Sequence, residues 1–156
     1  MGSVRVTTLA TPLGRVEVCE AAGKVRGVVL TDDRDFGPGD AQEPSTELSR
    51  DLLRYFSGEA VDFRHYPVDL EGYTPFEIQV LEAVRDIPYG ATKSFDEIAE
   101  GLGKPHHGKA VAYTLHRNRI NIVIPSHRVV GGPRDLGDFE AGLEWKSFLL
   151  ALEGSL

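Results

Sequence analysis

Residues 121–131 read NIVIPSHRVVG: an apolar run meets a proline, and Ser126, His127 and Arg128 follow in succession. With Glu153 further along, the chain holds the residue types of nucleophilic catalysis, a hydroxyl, an imidazole and a carboxylate. The pattern predicts a buried strand that presents a polar cluster at its exit. The G-x-S-x-G spacing of a hydrolase elbow is absent. On an extended backbone adjacent side chains point to opposite sides, so a direct Ser126–His127 hydrogen bond is awkward. The one cysteine, Cys19 in VEVCEA, reads as a buried structural residue. No Cys/His spacing suits a zinc site, and the expectation is no metal and no cofactor.

Charge separates one stretch from the rest. Residues 103–128 contain no Asp or Glu but carry Lys104, Lys109, Arg117, Arg119 and Arg128. That window sums to +5 and leaves −12 for the remainder of a chain whose net charge is −7. A basic island on an acidic body is the footprint of a phosphate-binding face, and those five residues are the expected DNA contacts. Apolar content of 41% with 26% charged residues fits a soluble globular protein, and no apolar run reaches membrane-spanning length. The segment MGSVRVTTLA lacks the features of a secretory signal, and one cysteine makes no intrachain disulfide. The expectation is a cytoplasmic monomer with no membrane partner.

The elements that must position these groups divide at about LEGY, residues 70–73. Residues 1–70 predict a small α/β domain. It opens with a β-meander, VRVTTLA, RVEVCEA and KVRGVVLT, joined by the turns TPLG and AAG. Ser45 is expected to cap a helix carrying Leu48, Leu52, Leu53 and Phe56, and VDFRHYPVDL reads as an edge strand. Residues 74–156 predict a helical domain. Thr74 with Glu77, and Ser94 with Glu97, form capping boxes that open two helices. HHGKAVAYTLHRN then makes a further helix, and the pair around the GKP turn is a helix-turn-helix candidate. Small residues on that second helix (Gly108, Ala110, Ala112) suit close approach to another surface or a shallow minor-groove fit. The last helix spans Leu143 to Glu153. The fold class is therefore α+β, an antiparallel sheet followed by a winged-helix or helix-turn-helix domain that carries the site.

IPYGATKSFDEIA, GKAVAYTLHRN, IVIPSHRVVG and FEAGLEWKSFLLALEG together resemble the O6-alkylguanine-DNA alkyltransferases, the methylated-DNA–protein-cysteine methyltransferases. The resemblance covers about Thr74 to Gly154. It implies that the partner is duplex DNA containing alkylated guanine, and that the base is flipped out through the minor groove. It places Ser126 at the position of the alkyl-accepting cysteine. It makes His127 the proton relay, Glu153 the residue that orients it, and Asn118 the brace of the loop. Val129 and Ser126 would offer backbone carbonyls to the guanine amine. Lys109 stands at the arginine-finger position and Phe95 at that of a tyrosine that assists base rotation. Phe139 stands for a tyrosine lining the pocket, and Glu140 for a serine near the alkylated oxygen.

A free thiol with pKa near ~8.5 is partly thiolate at neutral pH, whereas a serine hydroxyl offers almost no oxyanion. General-base help is worth roughly 10²–10⁴-fold, too little to restore transfer. The resemblance therefore implies a protein that binds the lesion without accepting its alkyl group and flags it for downstream repair proteins. Two alternatives stand beside it. One is a suicide alkyltransferase, engineered at Ser126 or weakly active, and the other is a non-enzymatic winged-helix regulator.

Overall fold

The computed structural model describes residues 3–156. Three strands, β1 (Arg5–Ala10), β2 (Arg15–Ala21) and β3 (Lys24–Thr31), form an antiparallel sheet in sequential order. Alternation sets its faces: Leu9, Val16, Val18, Val25, Val28 and Leu30 point inward. The two-residue turn Ala22–Gly23 joins β2 to β3, both residues at positive φ, as the twist of a tight hairpin requires. A register shift at Cys19/Glu20 bends β2. Cys19 is half-buried, not enclosed as expected.

Two expectations in this half are corrected. The cap of α1 (Glu47–Phe56) is Thr46 rather than Ser45: the Thr46 hydroxyl accepts from Ser49 N, and the Ser49 side chain returns the bond. The capping register then buries Leu48, Ser49, Leu52 and Tyr55, leaving Leu53 and Phe56 only partly covered. VDFRHYPVDL is not a strand. Only Val68 bridges β3, at Val25, because Pro67 has no N–H to continue a ladder.

The second half follows its caps closely. Thr74 and Glu77 open α2 (Pro75–Arg85), with Pro75 in the first turn, and Ser94 and Glu97 open α3 (Phe95–Gly101). Val80, Leu81, Val84 and Ile87 are the buried stripe. Gly103, at φ 75°, turns the chain toward α4 (Gly108–His116), whose core face is Val111, Thr114 and Leu115. The short strands β4 (Lys93–Ser94) and β5 (Val129–Val130) pair in parallel beside α3. The last helix, α5 (Leu143–Leu152), buries Trp145, Lys146, Leu149 and Leu150. Together these elements make the small antiparallel sheet plus helical region expected of the α+β class. The apolar core is continuous across the 70–73 segment, and Val28 bridges Ile120 directly.

Gly137 packs a loop against this frame. It sits at φ 71°, and a Cβ there would lie 2.8 Å from the Phe95 ring. Gly137→Ala is expected to push Phe95 aside and lower stability by about 1–3 kcal/mol, the cost of overpacking. A denaturant midpoint unchanged from the parent would refute this packing role.

Candidate functional site

The NIVI stretch is a tight turn, not the exit of a strand. Ile122 holds φ 71°, a left-handed conformation that strains a β-branched residue. Two asparagines supply the hydrogen bonds that a ladder would otherwise make. Asn121 donates to Val28 O at 3.0 Å. The Asn118 amide donates to Ile124 O at 3.0 Å and to Ser126 Oγ at 3.1 Å, while its oxygen accepts from Ile120 N. Ser126 to Arg128 then form one 3-10 turn, and all three are buried. Ser126 and His127 make no direct hydrogen bond, but the reason is this helical turn rather than an extended backbone.

Glu153, just past α5, gathers the surrounding donors. Its Oε2 accepts from Tyr55 OH at 2.5 Å, from Arg128 Nη2 at 3.0 Å and from His127 Nε2 at 2.7 Å. Its Oε1 accepts from Arg128 Nε at 2.8 Å and from Gly90 N at 3.3 Å. Burial alone would raise the Glu153 pKa. The hydrogen bonds from His127 and Arg128, with the Arg128 charge, outweigh burial and hold it well below the usual carboxylate range. For His127, burial pushes the pKa down and the neighbouring Arg128 and Lys146 cations add to this, against the pull of Glu153. The ring is therefore neutral at pH 7. A hydrogen bond at Nε2 to a carboxylate puts the proton there. Nδ1, buried and without a partner among the described residues, keeps its lone pair for an incoming proton.

Ser126 faces a narrow cavity of about 20 Å³ lined by Phe95, Ala112, Leu115, His116, Asp138 and Phe139. That is room for a water and far too little for a purine. The chemistry is a buried hydroxyl, a neutral imidazole with one open nitrogen, and a cavity between helices α3 and α4. Residues 75–155 match the family described as 6-O-methylguanine DNA methyltransferase, DNA binding domain. The chain belongs to this family. A methylated-DNA–protein-cysteine methyltransferase of Methanosarcina acetivorans is 43% identical over 109 residues, 70% of this chain and 69% of its own. One from Methanopyrus kandleri is 42% identical over 125 residues, covering 76% of this chain and 92% of its own. Among solved structures, Mycobacterium tuberculosis OGT in complex with DNA superposes with a TM-score of 0.78. It is 29% identical, and the match covers 95% of this chain and 91% of that one.

Within this alkyltransferase-family chain the expected basic face divides. Arg128 is a correction: it is buried, its guanidinium engaged with Glu153 and with Ile87 O at 2.7 Å, and it offers nothing to phosphate. Arg119 donates to the carbonyls of Asp69 and Glu71 and stacks over Tyr73. Arg117 is ion-paired with the buried Glu77 and lies over the Tyr73 ring. Lys104 and Lys109 are exposed and make no salt bridge among the described residues. Of the expected pocket residues, Phe95 and Phe139 line the Ser126 cavity. Val129 is buried and Glu140 exposed, and neither is among the residues lining it.

Three residues escaped the sequence reading. Tyr55 reaches Glu153 from the other half of the chain, and nothing local signals that. His116 is recognisable only once α4 is placed. Lys146 had a signal, a lone lysine at helical spacing from Leu149, Leu150 and Glu153. Its Nζ donates to Val129 O at 2.7 Å and Asp138 O at 3.1 Å, and burial brings its pKa down to about 8. The gathering of Glu47, Asp51 and His65 is remote from this site, and Tyr66 and Arg54 already engage Asp51.

The buried pair dictates how stability depends on pH. An unfolded His127 titrates near 6.5 and the folded one lower, so the unfolded chain binds more protons and stability falls as pH drops below 6.5. Glu153 adds stability above its unfolded value of 4.5 that is lost on further acidification. Urea midpoints should decline in these two stages from pH 7 downward. Glu153→Gln should cost about 3–5 kcal/mol at pH 7, the penalty for stranding a buried partner, and should flatten the second stage. A variant as stable as the parent would contradict the central role given to this carboxylate.

Proposed function

We propose that this protein binds O6-alkylguanine in duplex DNA, flips it through the minor groove, and holds it without taking up its alkyl group. The observation that carries the proposal is Ser126. It occupies the place in IPSHR where the family resemblance puts the acceptor cysteine, yet the groups around it are intact. Its oxygen takes the Asn118 hydrogen bond, and His127 stands ready as a base. Displacing guanine from a methyl carbon needs a soft, ionised nucleophile. A hydroxyl beside a neutral imidazole does not supply one. Cys19 lies on β2 and is not among the residues lining the cavity.

DNA as partner draws support from the family's DNA-binding domain and from the M. tuberculosis protein solved on DNA. Helix α4 would lie in the groove, with Lys109 in the space the base leaves and Lys104 on phosphate. Residues 74–156 would form the DNA-binding unit and 1–70 a supporting one, in a cytoplasmic monomer that hands the lesion to other repair proteins. The second reading is suicide methyl transfer, which the names of relatives above 40% identity favour.

Intact mass after incubation with a duplex carrying O6-methylguanine separates the two. The expected result is an unchanged mass, with Ser126→Cys gaining one methyl group slowly. A stoichiometric gain by the parent protein would establish transfer and end the binding-only reading.

Salt dependence tests the DNA face. Lys104→Ala and Lys109→Ala should each reduce the slope of log K against log salt by about 0.9 if each contacts one phosphate. Lys24→Ala, on the exposed edge of β3, should leave it unchanged. Equal losses from all three would move the DNA face elsewhere.

A further inference from the structure

Helix α4 carries an exposed aromatic on its outer side. Its core face is Val111, Thr114 and Leu115, which puts Lys109 and Tyr113 one turn apart on the opposite face. Tyr113 is 64% exposed, the only aromatic among the exposed large apolar residues of the described chain. Its sequence neighbour Ala112 and the nearby His116 line the Ser126 cavity, so Tyr113 lies on the helix that forms one wall of the site.

A long side chain this exposed is ordinarily free to rotate, but Tyr113 has a rigid backing. The Arg117 guanidinium lies 5.8 Å from its ring centroid. That guanidinium is itself fixed by the buried Glu77 carboxylate and by the Tyr73 ring at 5.5 Å. Tyr73 is fixed in turn by its hydroxyl, which donates to Arg117 O at 2.8 Å. Arg117 thus lies within cation–π distance of both Tyr73 and Tyr113, and Tyr113 is the exposed end of this chain of contacts. Lys109 offers charge at the adjacent turn but no plane to replace a lost base stack.

We propose that Tyr113 is a positioning residue for lesion recognition: its ring stacks against the bases next to the flipped nucleotide, and Lys109 supplies only charge. The inference rests on the reading of α4 as the minor-groove element. Apolar wedges at unstacked steps are a recurrent means of holding bent or opened DNA in the minor groove. Because stacking compensates the cost of unstacking, its effect falls on the duplex that opens. Affinity for an intact, undamaged duplex depends on it little.

Binding of the full chain to matched duplexes with and without one O6-methylguanine, at fixed salt, is the test. A 2-aminopurine opposite the lesion reports unstacking. Tyr113→Ala should weaken the lesion duplex about tenfold more than the undamaged one, within the range for base–aromatic stacking, and should shift the 2-aminopurine signal. Tyr113→Phe should behave as the parent. Equal weakening of both duplexes, or none, would overturn the role of Tyr113 while leaving lesion binding intact. A parent protein with no preference for the lesion duplex would overturn the proposed function and this inference with it. Circular dichroism of the variants excludes loss of fold as the cause.

Discussion

A single buried carboxylate holds the site together. Glu153 accepts hydrogen bonds from Tyr55, Gly90, His127 and Arg128, donors from three segments that are far apart in the chain. Sequestering a charge from water costs several kcal/mol unless it is fully paired. Here a two-point guanidinium contact and two further side-chain donors meet that cost. The consequence for the chemistry is orientation. With Nε2 committed to Glu153, His127 can present only Nδ1, and the Ser126–Arg128 turn is anchored on both sides of the imidazole. Tyr55 brings the β-sheet half of the chain into the same network, which makes that half a structural support of the site.

The Ser126 side chain stands outside this network: its hydrogen bond is with Asn118, which does not bond Glu153. Its oxygen is a good acceptor for the Asn118 amide, and the hydroxyl is smaller than a thiol. The scaffold therefore tolerates serine without rearrangement, since neither Glu153 nor Arg128 depends on the residue at 126. The device that would activate a nucleophile and the nucleophile itself are separable in this architecture. On the proposed reading, this is what lets binding persist without transfer.

Much of this was legible beforehand, and the limits have physical causes. Capping boxes at Thr74 and Ser94, the buried stripe of α2 and the hairpins were readable because they are local. Ser126, His127, Asn118 and Glu153 were named from a motif and do converge. NIVI was misread because an apolar run looks alike in a strand and in a buried turn; the difference lies in Asn118 and Asn121, whose amides replace a ladder. Arg128 was misplaced because charge in sequence says nothing about which partner waits across the core. Tyr55 and the Arg119 contacts to Asp69 and Glu71 are non-local, and no periodicity announces them.

The electrostatics and the closed cavity bear on the same question. Of five basic residues in the acid-free window, Arg128 is buried and Arg117 and Arg119 are engaged by protein groups, so the window offers solvent less free positive charge than its composition implies. An acidic α3, with Asp96, Glu97 and Glu100 exposed, lies beside it. Recognition by a few phosphates alone would be weak here, and it would not distinguish one duplex from another. The cavity at Ser126 holds no more than a water, so a base can enter only if a wall moves. The Ser126 turn is clamped by Asn118 and Glu153, and α4 is packed on its core side. The Asp138–Phe139 wall is held by Lys146 at the Asp138 carbonyl, by the Asp138 carboxylate 3.3 Å from His116 Nδ1, and by Gly137 against Phe95. On the proposed reading, selectivity comes from the difference in cost between opening a damaged and an undamaged pair. Groups that engage only the opened duplex govern that difference more than the total charge does.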